Sequence, residues 1–306
     1  MSEQHLQSQT VQTTGHAWDG DLQEFNNPLP TWWVYTFYVT IVFALVYWVI
    51  YPSWPFGKGF LTGFSDISYV NKSGETVTSH WNTRALLQED LNEAAEMQKP
   101  YFSKVAASSF EQIAKDAELS GFVQSAGKAL FTDNCAPCHQ QGGQGVVSFF
   151  PNLTDDDWLY GGSYEKIHET LINGRRGYMP AFGEVLNAQQ IDSLANHVAS
   201  LSGIAHDANK AAAGRALFTS DSAACYYCHG DNGKGRQEIG APNLTDKIWL
   251  WANVPAAEKA QDKVAAIRSV IASGLSKGVM PAWGERMTPD EIKVLTVYVH
   301  QLGGAK

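Results

Sequence analysis

Basic side chains are scarce at the start of this chain. Residues 1–29 contain neither Lys nor Arg, and overall 31 acids face 22 bases, for a net charge of −9. Neutralising phosphates needs the opposite balance, so nucleic acid is not an expected partner. Charge of either sign is absent from Trp32 to Tyr51. Only four cysteines and five methionines occur among 306 residues, so their placement carries information.

The four cysteines form two motifs, Cys135-Ala136-Pro137-Cys138-His139 and Cys225-Tyr226-Tyr227-Cys228-His229. Cys-x-x-Cys-His reads as a c-type haem attachment site. Two thiols three positions apart reach the two vinyl groups of one porphyrin, and the next residue is held against the iron. A four-cysteine zinc ribbon wants about 15–20 residues between its pairs; here 86 separate Cys138 from Cys225. A disulfide does not account for the histidine after each pair. The expected cofactor is two covalent haem c groups, with His139 and His229 as iron ligands.

A His/Met pair of ligands is the cytochrome c pattern and raises the reduction potential. Met179 lies in Gly177-Tyr178-Met179-Pro180-Ala181-Phe182-Gly183, 40 residues after His139. Met280 lies in Gly278-Val279-Met280-Pro281-Ala282-Trp283-Gly284, 51 residues after His229. Proline after the methionine stiffens a loop that presents a thioether, and a recurring seven-residue frame is more than core filler. Met179 and Met280 are the expected further ligands; Met287 is the alternative at the second site, and Met1 and Met97 are bystanders. His168, His197, His206 and His300 would serve only in a bis-His site, and helical patterns around His168 and His197 make them ordinary histidines. Arg175 and Arg176 suit haem propionates, or solvent equally.

Trp32–Tyr51 is long enough as a helix to cross a hydrocarbon core of about 30 Å. Trp32, Trp33 and Tyr35 mark one end and Tyr47, Trp48, Tyr51 and Trp54 the other, as an aromatic belt does. Without a basic leader it fits a cleaved signal poorly, so an uncleaved anchor is expected. Lys58 and Lys72 weakly favour a cytoplasmic C-terminal side. Haem attachment outside the bacterial cytoplasmic membrane places that side in the periplasm, and a large translocated domain largely escapes the charge rule. The expectation is a single-pass protein of the bacterial inner membrane, its N-terminus cytoplasmic and its haem domains periplasmic.

Residues 1–29 read as a mobile tail, with Asn27-Pro28-Leu29-Pro30 setting a boundary. Residues 30–52 are the membrane helix. Residues 53–120 are a glycine-bearing linker and helical connector, with a helix over 82–98 that Pro100 stops and another from the Ser109/Gln112 capping box toward 118. Two copies of one unit follow, 121–203 and 204–306. Gly127-Lys128-Ala129-Leu130-Phe131 matches Gly214-Arg215-Ala216-Leu217-Phe218, Pro151-Asn152-Leu153-Thr154 matches Pro242-Asn243-Leu244-Thr245, and Trp158 matches Trp249. Closing helices share an i, i+3, i+7 stripe, Ile191, Leu194, Val198, Leu201 against Ile292, Leu295, Val299, Leu302. Asn187 and Thr288 are expected N-caps; Gly203 and Gly304 follow the ends. The fold class is all-α: one N-terminal transmembrane helix, then two tandem cytochrome c domains.

The Asn27-Pro28-Leu29-Pro30-x-Trp32-Trp33 entry to the span, the stretch Phe150-Pro151-Asn152-Leu153-Thr154-Asp155-Asp156-Asp157-Trp158-Leu159-Tyr160-Gly161-Gly162 and the two haem/Met-Pro units resemble the membrane-anchored dihaem subunit III of cbb3-type cytochrome c oxidases, over residues 25–304. The resemblance implies an electron-transfer subunit with no active site of its own. It would take electrons from donor c-type cytochromes and pass them to a monohaem subunit, then to the oxygen-reducing, proton-pumping haem–copper catalytic subunit. It also implies that His139 and Met179 ligate the first iron, and His229 and Met280 the second. Gln140 follows the first haem histidine where Gly230 follows the second, a departure that leaves this assignment intact. The competing readings are a dihaem peroxidase-like enzyme, which keeps one iron open, and the cytochrome subunit of a membrane dehydrogenase. Residues 121–203 carry eight acids and four bases, residues 204–306 ten and twelve. The first copy is therefore expected to steer a basic donor, with Asp155-Asp156-Asp157 as the patch or, alternatively, as a helix N-terminus.

Overall fold

The computed structural model describes residues 12–71, 73–276 and 278–303. Met1 and residues 1–11 of the expected tail, Lys72 and Gly304 lie outside the described residues. Two compact units divide between Met97 and Gln98.

The first unit opens on an antiparallel hairpin, β1 (Thr13–Trp18) and β2 (Leu22–Phe25), where composition predicted a mobile tail. Asp19 and Gly20 both adopt positive φ, 52° and 91°, as tight hairpin turns require. Asn27–Pro30 forms no regular structure, as expected. Then α1 (Thr31–Ile50) spans about 30 Å with no buried residue. Among the described residues it is the one helix long and apolar enough to cross a membrane. The supposed linker is two further hairpins: β3 (Pro55–Phe56) with β4 (Gly59–Phe60), and β5 (Asp66–Val70) with β6 (Thr76–His80). Asn71 turns the latter, its Oδ1 accepting from the backbone N–H groups of Ser73 and Glu75 at 2.9 and 3.0 Å.

Helix α2 (Thr83–Ala107) runs through Pro100, the expected stop. Proline removes one intrahelical donor, but the turns beyond it are held by packing: Val105 is fully buried, Tyr101 stacks on Phe122 and Phe102 meets Phe122 edge-on. Next come α3 (Phe110–Lys115), started by the predicted Ser109/Gln112 capping box but ending before 118, and α4 (Ala117–Phe122), capped by Asp116. A π-helical turn over Val123–Gly127 leads into α5 (Lys128–Asn134), and α6 (Ala136–His139) carries the first motif. The rest of the first copy is α7 (Tyr164–Asn173), β7 (Arg175–Arg176) and α8 (Ala188–Leu201). The second copy repeats the order: α9 (Ala208–Phe218), α10 (Cys225–His229), α11 (Ala260–Ser273), β8 (Val279–Met280) and α12 (Pro289–Gln301). Asn187 and Thr288 each complete a capping box, with Gln190 and Glu291.

The two copies do not pack each on itself. One core joins Phe131, Cys135, Ile167 and Leu171 of the first copy to Ile292, Leu295, Val299 and Met280 of the second. The other joins Ile191, Leu194, Val198 and Met179 of the first copy to Phe218, Ile267 and Ile271 of the second. The closing helices are exchanged. Lobe B is the continuous stretch 179–275; lobe A is built from 105–173 and 280–302. Each core thus draws on both of the expected units, 121–203 and 204–306.

Chain connectivity explains the exchange. Only Ser202–Asp207 separates α8 from α9, so the two close as a local helical hairpin with little loop entropy. Asn196 Oδ1 accepts from the Asp207 N–H at 2.9 Å, and Lys210 pairs with Asp192 at 2.8 Å. Helix α12 packs instead on the first copy: His300 stacks on Tyr164 at 3.9 Å, Tyr298 lies 5.6 Å from Phe131, and Gln124 bonds Gln301 at 2.6 Å.

Where the copies cross, β7 and β8 pair antiparallel, Arg175 opposite Met280 and Arg176 opposite Val279. Met179 and Leu275 exchange both backbone hydrogen bonds at 2.8 Å. Gly174 and Gly274 permit the crossing. Each has positive φ (67° and 64°), and a Cβ on either would strike the opposing methionine segment, at the carbonyl oxygens of Met280 and Met179 respectively.

Candidate haem sites

Each Cys-x-x-Cys-His motif is a single helical turn. The His139 N–H donates to Cys135 O at 2.8 Å, which sets both thiols and the imidazole on one short segment. Gln140 ends that turn at φ 65°, the conformation Gly230 takes at φ 74° in the second motif. His139 Nδ1 lies 3.0 Å from Pro151 O, and His229 Nδ1 lies 3.1 Å from Pro242 O. With Nδ1–H donating to a carbonyl, Nε2 is the nitrogen left with a lone pair. Burial lowers both imidazole pKa values, the carbonyl bonds opposing it, which favours the neutral ring that binds a metal.

Burial pushes the Cys135 and Cys225 thiols up to about 11. None of the four cysteines pairs in a disulfide, and among the described residues no three His, Cys, Asp or Glu side chains converge as a metal-binding group.

A cavity of about 720 Å³ is lined by all four cysteines, His139, His229, Met179 and Met280. Its wall is mainly apolar and aromatic, with Trp158, Trp251, Trp283 and Phe150. A smaller recess of about 90 Å³ has Met179 with Cys225, His229 and Trp249, and does not include Met280. Paired thiols, a neutral imidazole with its second nitrogen tied down, a thioether and an apolar cavity of this size fit a covalent haem.

The methionines are distributed against expectation. Met280 packs on the core that holds Cys135, and Met179 on the core that holds Cys225. The pairs His139/Met179 and His229/Met280 are therefore not the pairs that share a lobe. The β7–β8 ladder holds Met280 beside the first copy, and the Met179–Leu275 bridge holds Met179 beside the second. Met287, the alternative for the second site, packs in lobe A and does not line the cavity.

The other candidates separate cleanly. His197 is buried with its ring edge on Phe218, His168 meets Phe110 edge-on, His300 stacks on Tyr164, and His206 is exposed. None lines the cavity. Arg175 does, held by Glu169 at 3.0 Å, by Thr170 Oγ1 at 2.9 Å and over the Tyr160 ring at 4.6 Å. Arg176 is exposed and outside it. Asp155-Asp156-Asp157 heads no helix, and only Asp156 is exposed. Asp155 and Asp157 turn to the cavity, where burial, with Asp246 and Asp155 nearby, raises Asp157 to about 6. The patch thus offers a partner one freely exposed carboxylate rather than three. Sequence reasoning did not assign roles to Pro151 and Pro242, whose carbonyls orient the imidazoles. Their recurrence in the matched Pro-Asn-Leu-Thr stretches was the available signal.

Residues 10–58 match the family model for the N-terminal domain of cytochrome oxidase-cbb3, FixP. Residues 123–198 and 209–299 match that for cytochrome c oxidase, cbb3-type, subunit III. The chain is 44% identical to the cbb3-type cytochrome c oxidase subunit FixP of Azorhizobium caulinodans, over 96% of this chain and 94% of that one. It is 40% identical to the subunit CcoP of an Azospirillum species, over 97% and 96%. It is 39% identical to the subunit CcoP of Cereibacter sphaeroides, over 96% and 95%. With cytochrome c units that fit haem c, one membrane-type helix and this likeness along nearly its whole length, the chain belongs to the FixP/CcoP family, subunit III of the cbb3-type cytochrome c oxidases.

Proposed function

We propose that this chain, an electron-transfer subunit rather than the catalytic one, would hold two haem c groups, each with residues drawn from both of its sequence repeats. Cys135 and Cys138 hold the first, with His139 and Met280 on its iron. Cys225 and Cys228 hold the second, with His229 and Met179. The observation that carries this reading is the exchange of Met-Pro segments between the two cores.

When bound, the groups supply reversible uptake and release of one electron. The chain's residues do the rest. Pro151 and Pro242 fix the imidazole tautomers. The β7–β8 ladder presents Met280, and the adjoining Met179–Leu275 bridge presents Met179. The aromatic wall excludes water, and thioether ligation favours the reduced state. The methionine in each lobe would give the iron held there a second protein ligand beside its histidine, which disfavours a peroxidase-like enzyme. One cavity bordered by both motifs favours transfer within the chain.

In this reading the electrons come from donor c-type cytochromes and leave through a monohaem subunit to the haem–copper catalytic subunit. The anchor lies in the bacterial inner membrane, with the N-terminus cytoplasmic and the residues after the span periplasmic, where covalent haem attachment takes place. The test is a haem count per polypeptide with magnetic circular dichroism of the purified chain. Two low-spin His/Met haems are expected; a high-spin, ligand-accessible haem would return the weight to the peroxidase-like enzyme.

A further inference from the structure

Directly after α1 comes a segment whose apolar side chains point outward. Trp54, Phe56, Phe60, Leu61 and Phe64 are all exposed, Phe64 by 88%. They sit on and around the β3–β4 hairpin, which turns at Gly57-Lys58. Small hairpins ordinarily hide such residues against a core, and this one leaves them uncovered.

The hairpin is fastened to the end of the membrane helix. The N–H groups of Phe64 and Ser65 both donate to Ile50 O at 3.0 Å, which also satisfies a carbonyl at the helix end. Ser53 N donates to Leu61 O at 2.9 Å, Leu61 N to Trp54 O at 3.0 Å, and Ser53 Oγ to Trp48 O at 3.1 Å. Trp54 packs edge-on against Trp48 at 5.0 Å. Gly63, at φ 77°, lets the returning strand pass so close that a Cβ there would strike the Ile50 carbonyl. Phe64 is thereby held at the level of the last apolar turn of α1. If the span sits in a bilayer with Tyr47, Trp48 and Tyr51 at its boundary, the hairpin sits at the same boundary.

Its chemistry suits that depth. Between Glu24 and Asp66 the one charged side chain is Lys58, at the hairpin tip. Aromatic rings beside a single long-stemmed lysine and no acid match the headgroup level of a bilayer, where amphipathic rings and a snorkelling lysine settle. We propose that the β3–β4 hairpin is a membrane-interface anchor. It lays Phe56, Phe60 and Phe64 into the phospholipid boundary and so fixes the depth and tilt of α1.

The proposal rests on α1 crossing a membrane, and its test separates the two. A photoreactive benzoyl-phenylalanine replaces Phe56, Phe60 or Phe64, and separately Phe43 in mid-span, in the full haem-loaded chain within its assembled oxidase in native membranes. After irradiation, the peptide that carries the probe is weighed. Phospholipid adducts at the hairpin positions are expected. A cross-link from them to another polypeptide, or no adduct, overturns the anchor; lipid adducts at Phe43 in the same experiment show whether the span itself still stands.

Discussion

Replacing Gly174 by Ala probes the crossing point of the two copies. Gly174 ends α7 at φ 67° and ψ −178°, a region essentially reserved for glycine, where an L-residue costs on the order of 2 kcal/mol. The added methyl meets the carbonyl oxygen of Met280, the carbonyl carbon of Pro281 and the nitrogen of Ala282. All three are backbone atoms, so no side chain can swing away, and overpacking of this kind costs about 1–3 kcal/mol. A total penalty of about 2–5 kcal/mol in a unit of some two hundred residues lowers Tm by roughly 5–20 °C. The strain falls on the segment that presents Met280, so the sulfur-to-iron charge-transfer band of one haem should weaken while the other persists. Thermal unfolding of the haem-loaded chain followed by far-ultraviolet circular dichroism, with the near-red absorption band recorded alongside, reads both effects. An unchanged Tm with both bands intact would refute the crossing geometry.

Other outcomes follow from the same structure. Asp157→Asn should stabilise the protein by about 1 kcal/mol at pH 7.5, once solvent screening is allowed for, and by nothing near pH 3.5. The folded pKa of about 6 exceeds the unfolded value, so ionisation opposes folding, increasingly between about pH 4 and 6 and fully above that; Tm against pH reads it. Leu295→Ala, at a fully buried position of α12, should cost about 2–5 kcal/mol and loosen the lobe of the first motif, although it lies in the second copy. Leu194→Ala should do the reverse, and denaturant midpoints with haem spectra compare them. Thr288→Ala removes a capping box and should cost about 1 kcal/mol, measured by thermal unfolding, without altering either haem spectrum.

The chemistry was legible because it depends on short spacings. Two Cys-x-x-Cys-His turns, two Met-Pro frames, one uncharged span and the caps at Asn187 and Thr288 all stand where local reasoning put them. The pairing of lobes was not legible, because the stripes of α8 and α12 are nearly the same and either helix fits either core. What decides between them is the brevity of Ser202–Asp207, which matters only when the whole topology is weighed. The hairpins of the first unit escaped for another reason. Trp18, Leu22 and Phe25 are exposed, so β1 and β2 carry no buried–exposed alternation; Asp19-Gly20 was the one signal. Pro100 misled because a local breaking rule was outweighed by the packing of Tyr101, Phe102 and Val105.

The most direct measurement removes the first haem and asks which methionine the second one needs. In a Cys135→Ala, Cys138→Ala background, one haem remains at Cys225 and Cys228. Magnetic circular dichroism is then recorded after Met179→Ala and, separately, after Met280→Ala. Crossed ligation predicts that Met179→Ala turns the remaining haem high-spin and that Met280→Ala leaves it low-spin with its sulfur band. The opposite result, loss of the band with Met280→Ala alone, would contradict the exchange of ligands between the two copies.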